Sequence, residues 1–280
     1  MINFTKMQGC GNDYIYINQI QEKIKNIKEL SIEMSKRHFS VGSDGIITID
    51  SSNICDFKMR IFNADGSEGN MCGNGIRCVG KYVYENRLTD KTHLTIETKS
   101  GVKTLDLHVL DNGFVDFVSV DMGKAMFNPE AIPLYSKEPI IDKEIEVLGK
   151  RYKSTAVSMG NPHQVIFMNK IDDLDLVSIG PSFENYPLFP ERVNTEFVEV
   201  LGENHFKMRV YERGSAETYA CGTGACAVAS VACKLGMASF NKKIRVDLIG
   251  GTLYITVKSD WTIIMEGPAK KIYDGVYYED

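Results

Sequence analysis

Gly66-Ser67-Glu68-Gly69-Asn70-Met71-Cys72-Gly73-Asn74-Gly75, in the first half of the chain, returns in the second as Gly214-Ser215-Ala216-Glu217-Thr218-Tyr219-Ala220-Cys221-Gly222-Thr223-Gly224. Each copy opens on Gly-Ser, carries a Glu four residues before Cys-Gly-x-Gly, follows a strand-like stretch and runs into a helix-like one. A shared offset in a shared strand, turn and helix context marks a repeated supersecondary unit. The chain therefore reads as two similar halves that divide near residue 118.

Working outward, short alternating segments dominate. Residues 57–62, 92–98, 102–110, 114–120, 197–200, 207–211 and 253–257 read as strands from their alternation and β-branched content. Helices are few: residues 27–37, a stretch opening at Gly75 and reaching Asn86, and one opening at Gly224 and ended by Gly236. In the last of these, Ala225 to Cys233 is apolar or small on every face, the signature of a helix buried all round. An α+β fold follows, with a sheet or barrel wrapped around a central helix.

Composition narrows the function. The chain has 280 residues, 43% hydrophobic and 25% charged, a globular balance that excludes a collagen-like, disordered or heptad-rod protein. Its most apolar stretch, Ala225 to Cys233, is far shorter than the roughly 18 residues of a membrane span, and Met1 to Gln8 lack the basic-then-apolar pattern of a secretion signal. The reading is a cytoplasmic protein with no membrane partner. The net charge is −5 and the basic residues are scattered, which argues against a nucleic-acid groove. Neither Gly-x-Gly pair extends to a dinucleotide fingerprint, no phosphate-binding loop motif occurs, and the five histidines lack metal-ligand spacing. No cofactor and no metal are expected.

Seven cysteines without Cys-x-x-Cys pairs or dense regular spacing read as reduced thiols. A cysteine just before a helix lies in the positive field of its N-terminus, so the pKa of Cys72 and Cys221 is expected below the usual ~8.5. The flanking glycines let backbone N–H groups approach a carboxylate. One such site would suit a nucleophile. Two suit stereoinversion, in which one thiolate removes an α-proton and a thiol on the opposite face returns one. Cys78, Cys226 and Cys233 read as small core residues, and neither Cys55 nor Cys10 shows a chemical partner.

The chain resembles the cofactor-independent diaminopimelate epimerases. The resemblance runs through Lys6 to Asp13, Asn63 to Glu68, Met71 to Cys78, Gly160-Asn161-Pro162-His163, Arg192 to Glu196, Glu212-Arg213-Gly214 and Ala220 to Cys226. It implies two pseudo-symmetric β-barrel domains, each closed around a central helix: residues 1–118, completed by a strand at about 268–280, and residues 119–267. It implies that Cys72 and Cys221 are the acid/base pair. The backbone of Gly73, Asn74, Gly222 and Thr223 would hold the carboxylate at the reacting carbon, and His163 and Glu212 would lie near the reacting amino group. Asn12, Asn63, Asn161, Asn194, Glu212 and Arg213 would grip the substrate. It further implies conversion of LL- to meso-diaminopimelate in lysine and cell-wall precursor biosynthesis, by a homodimer that uses neither pyridoxal phosphate nor metal. Glycine and Arg213 chemistry agree with this: a guanidinium suits a carboxylate, and a carboxylate with amide oxygens suits an ammonium.

Four positions depart from the family's common pattern: Gln8 for His, Gly45 in a segment that often carries a substrate-contacting Gln, Tyr211 for Trp and Ala216 for Gly. Two other readings share the repeated thiols. One is a racemase of the proline or hydroxyproline type; the other is a thiol-redox binding protein whose repeated cysteines form a regulatory disulfide.

Overall fold

The computed structural model describes residues 1–279. Two compact units emerge: Met1–Asp121 with Glu266–Asp280, and Met122–Met265.

The first unit contains β1 (Ile2–Gly9), β2 (Asn12–Asn18), α1 (Ile27–Ser35), β3 (Gly45–Asp50), β4 (Phe57–Asn63), β5 (Glu68–Gly69), α2 (Gly73–Glu85), β6 (His93–Thr98), β7 (Gly101–Val109) and most of β8 (Val115–Lys124). The second unit holds β9 (Lys143–Val147), β10 (Lys150–Ser158), β11 (Pro162–Met168), α3 (Leu176–Glu184), β12 (Asn194–Gly202), β13 (His205–Glu212), β14 (Ala216–Glu217), α4 (Gly222–Lys234), β15 (Lys243–Leu248), β16 (Gly251–Val257) and the start of β17 (Thr262–Pro268). The chain then returns to the first unit, where β18 (Lys270–Tyr277) runs antiparallel to β1 over its length.

The repeat reaches well beyond the cysteine motif. In the first unit β2 and β3 are parallel across α1, and β4 and β6 are parallel across α2. In the second, β11 and β12 are parallel across α3, and β13 and β15 are parallel across α4. Antiparallel pairs β3–β4 and β12–β13 join the crossovers within each unit. Each unit is thus a sheet with one helix outside and one held inside.

That arrangement explains which strands the alternation reveals. β6 and β16 alternate between buried and partly exposed residues. β2 and β3 are instead covered on both faces, because α1 packs on Ile15, Ile17, Ile46 and Phe62, while Ile47 and Tyr16 meet α2. Their nearly continuous apolar runs carry no period of two, so β2 and β3 are absent from the sequence reading. α3 is also absent from it. Gly180 and Pro181 hide a short helix capped by Asp175 Oδ1, which accepts from Ser178 N at 3.2 Å. Gly180 is required there, since a Cβ would lie 2.1 Å from the Tyr211 ring. Tyr211, the departure from Trp, is therefore a packing residue under α3.

The last glycine of each Cys-Gly-x-Gly meets the sheet. A Cβ on Gly75 would stand 2.4 Å from Ile47 Cδ1, and one on Gly224 would stand 2.8 Å from Glu196 Oε1. These glycines let the inner helix start almost in contact with the strands. α4 is buried around its whole circumference, as its composition predicts, whereas α2 exposes part of its last turns through Lys81, Tyr84 and Glu85. Arg77, fully buried, reaches Pro268 O (3.1 Å) and Gly73 O (3.1 Å), tying the returning chain to the start of α2.

Both inner helices end in the same Schellman geometry. Met237 N donates to Ala232 O at 2.8 Å with Gly236 at φ +73°, and Leu88 N donates to Val83 O at 2.9 Å with Arg87 at φ +57°. A left-handed conformation costs a non-glycine residue roughly 1 kcal/mol. Arg87→Gly is therefore expected to raise stability by roughly 0.5–1 kcal/mol, and Gly236→Ala to lower it by about 1 kcal/mol, because open space around Gly236 leaves backbone strain as the only cost. Urea unfolding of the two variants beside the parent checks both signs.

Candidate active site

Each repeated cysteine is the N-cap of its inner helix. Cys72 lies at φ −135°, ψ 113° and its Sγ accepts from Gly75 N at 3.3 Å; Cys221 lies at φ −113°, ψ 108° and its Sγ accepts from Gly224 N at 3.3 Å. Intrahelical bonding begins with Ile76 N to Cys72 O (2.9 Å) and Ala225 N to Cys221 O (3.0 Å). The sulfur thus takes the third amide of the helix. The first two, from Gly73 and Asn74 or from Gly222 and Thr223, are amides that no carbonyl of the helix can reach. They are the backbone groups that could hold a carboxylate beside the thiol, with the helix dipole behind them.

In the first unit Cys72 Sγ donates to Asn12 Oδ1 at 3.1 Å, and Asn12 Nδ2 donates to Asp44 Oδ2 at 2.8 Å. Asn63, at the end of β4, donates to Ser67 Oγ at 3.0 Å. Gly45 stands opposite Asn63 on the neighbouring strand with φ +152°, and a Cβ there would fall 2.1 Å from Phe62 O. This backbone accepts glycine alone, so the missing side-chain contact is built into β3. Ala216 also takes a positive φ, +58°, where Gly would be unstrained. Gln8 closes the tight turn after β1 by accepting from Gly11 N at 2.8 Å.

In the second unit Thr223, Asn161, His163 and Glu212 gather around Cys221, while Asn194 and Arg213 form a neighbouring group. Thr223 Oγ1 lies 3.4 Å from its Sγ, and Asn161 Nδ2 donates to Thr223 Oγ1 at 3.4 Å. His163, fully buried, places Nε2 3.1 Å from Asn161 Oδ1 and Nδ1 2.6 Å from Glu196 Oε1. Asn194 bridges Pro162 O (2.9 Å) and Arg213 N (2.9 Å), while Arg213 Nη1 donates to Glu191 O at 3.1 Å. Glu212 accepts a short hydrogen bond from Thr218 Oγ1.

The expected thiolate-favouring environment is not found at Cys221. Burial pushes this thiol well above its ordinary value, and the Glu212 and Glu196 carboxylates push in the same direction; the Thr223 hydroxyl and Gly224 N–H oppose them. Desolvation outweighs the helix field because almost no solvent reaches the sulfur. Glu196 is raised too, by its own burial, against the pull of His163.

Four side chains of these networks lie outside the expected set: Asp44, Ser67, Glu196 and Thr218. Glu196 sits two residues beyond Asn194 on β12, so period-two reading of that strand could have grouped them. Asp44 and Thr218 carry no local signal; their roles exist only through strand pairing.

Comparison with known proteins agrees with this geometry. The family model described as diaminopimelate epimerase matches residues 4–128 and 155–272. The chain belongs to the diaminopimelate epimerase family. Among its relatives, the diaminopimelate epimerase of Leptospira biflexa is 49% identical over 276 residues, covering 98% of each chain. That of Agathobacter rectalis is 50% identical over 283 residues, again 98% of each. In fold, this family member is similar to a probable proline racemase from Agrobacterium radiobacter K84 (TM-score 0.75, 13% identity, 100% of this chain and 94% of that one). It is also similar to a phenazine biosynthesis protein of the PhzF family from Bacillus anthracis (TM-score 0.68, 18% identity, 98% of each).

The buried thiols set a pH dependence. Burial raises Cys78 to about 11 and pushes Cys10 and Cys221 upward as well. Below the unfolded value of ~8.5 these thiols are protonated in both states and leave stability unchanged. Between ~8.5 and the raised values only the unfolded chain ionises, so stability falls as pH rises, by up to about 1.4 kcal/mol per pH unit per thiol. Melting temperatures between pH 7 and 10.5 are expected to decline above pH ~8.5, with a shallower slope in Cys78→Ala than in the parent.

Proposed function

We propose that this chain is an isomerase that converts LL-2,6-diaminopimelate to the meso isomer by a two-base thiol mechanism. The observation that carries the reading is the repeated cap, in which a cysteine sulfur stands beside two helix-N-terminal amides in each unit. Cys72 and Cys221 would address opposite faces of one α-carbon. The thiolate form of one takes the α-proton, and the thiol of the other returns a proton from the far side.

An α-proton is a far weaker acid than a thiol, so the carbanion needs support. The amides of Gly73, Asn74, Gly222 and Thr223 supply fixed dipoles at the substrate carboxylate, where charge accumulates as the proton leaves. His163 and Glu212 sit at the reacting ammonium. That positive charge, entering beside Cys221, offsets the carboxylates and the burial that hold its thiol protonated. Asn12, Asn63, Asn161, Asn194, Glu212 and Arg213 grip the substrate, Arg213 suiting its distant carboxylate. We take the enzyme to act as a cytoplasmic homodimer in lysine and cell-wall precursor biosynthesis, with neither pyridoxal phosphate nor metal.

The test is incubation of the reduced protein with LL-diaminopimelate in D2O, without added pyridoxal phosphate or metal. The expected product is the meso isomer carrying solvent deuterium at the α-carbon, with no exchange into L-proline. Cys72→Ser and Cys221→Ser are each expected to lower the inversion rate by about 10²–10⁴-fold. Exchange into L-proline in place of diaminopimelate, or a serine variant within tenfold of the parent, would overturn the assignment.

A further inference from the structure

The Cys72 network has a direction, and Asp44 sets it. Asp44 Oδ2 accepts from Asn12 Nδ2 at 2.8 Å and from Asp13 N at 2.9 Å, while its Oδ1 accepts from Arg37 Nη2 at 3.1 Å. A carboxylate paired with a guanidinium only accepts hydrogen bonds, so the amide nitrogen of Asn12 must face it. The amide oxygen is then left facing Cys72 Sγ at 3.1 Å, where it also can only accept. Cys72 must be the donor, which requires the thiol. A thiolate in the same place would face the lone pairs of Asn12 Oδ1.

The surroundings of Asn12 hold this orientation. Arg37 Nη2 also binds Asp13 Oδ1 at 2.7 Å, and Lys6 Nζ pairs with Asp13 Oδ2 at 2.5 Å, so the two aspartates and two cations form one ionic chain beside the amide. Among the other titratable groups that act on Cys72 within its unit are the Tyr16 phenol on β2 and the Cys78 thiol on α2. Both are buried and protonated near neutral pH, so neither brings a charge. Both sulfurs accept from a glycine amide, Gly75 N–H or Gly224 N–H, and Cys221 differs in its other partner, the Thr223 hydroxyl, which is able to donate.

We propose that Asp44 is a positioning residue that, by orienting the Asn12 amide, keeps Cys72 in the thiol form in the substrate-free enzyme. The inference rests on reading Cys72 as one of the two acid/base groups. Its consequence is that two cysteines the repeat presents as equivalents are held as thiols by different means, Cys221 by burial and carboxylates and Cys72 by an oriented amide.

The experiment is the pH dependence of Cys72 alkylation by iodoacetamide, followed by mass mapping of the modified peptide. It requires no turnover, so its outcome is independent of whether diaminopimelate is inverted. Asp44→Ala frees the amide to turn and present Nδ2–H to the sulfur, and the midpoint of Cys72 alkylation is expected to fall by about one pH unit. Asp44→Asn retains an acceptor oxygen for Asn12 and is expected to stay within about 0.3 unit of the parent. Asn12→Ala in the Asp44→Ala background is expected to bring no further fall beyond about 0.3 unit. If Asp44→Ala does not fold, as judged by circular dichroism, Asp44→Ser, too short to reach Asn12, takes its place. Equal falls in the Ala and Asn variants would show that the charge of Asp44 acts through space, and an unmoved midpoint in the Ala or Ser variant would show no influence at all; either result overturns the proposal.

Discussion

The structure depends on a cysteine sulfur that caps an inner helix. Sγ of Cys72 or Cys221 takes the amide of the third helical residue, and that residue is glycine because its Cβ position is occupied by the sheet. Capping and packing are therefore one constraint. A longer side chain at Gly75 or Gly224 would lift the first turn off the strands and carry the sulfur with it. The two amides preceding the capped one are left at the helix mouth, in the positive end of the dipole.

Around this constraint the two units repeat their topology but not their electrostatics. In the second unit, burial and two carboxylates hold the Cys221 thiol protonated, opposed by hydrogen-bond donors at the sulfur. In the first, an ionic group fixes the Asn12 amide, whose oxygen meets the sulfur of Cys72. The same backbone device thus presents two thiols in different surroundings.

Much of the candidate site was legible because its chemistry is local. Cys72 with Gly73 and Asn74, and Cys221 with Gly222 and Thr223, lie in contiguous segments whose glycines, caps and helix starts follow short-range rules. His163 and Asn161 share a short segment, and so do Glu212 and Arg213. Asp44 was not legible: it meets Asn12 only because β2 and β3 lie side by side, across a crossover that contains α1. Glu196 reached the site by the same route, through the parallel pairing of β11 and β12. The expectation of a lowered Cys221 pKa failed for a related reason, since a helix N-terminus is visible in sequence and the burial around it is not.

The sequence by itself determined the duplication, the inner helices and the cysteine caps at their starts. All of these depend on residues within a turn or two of one another. Tertiary structure decided which strands are covered on both faces, which side chain each amide meets, and how far each thiol is removed from water. Those properties belong to groups brought together over long sequence separations. Their energies, set by desolvation and by the direction of each hydrogen bond, have no counterpart in any single segment of the chain.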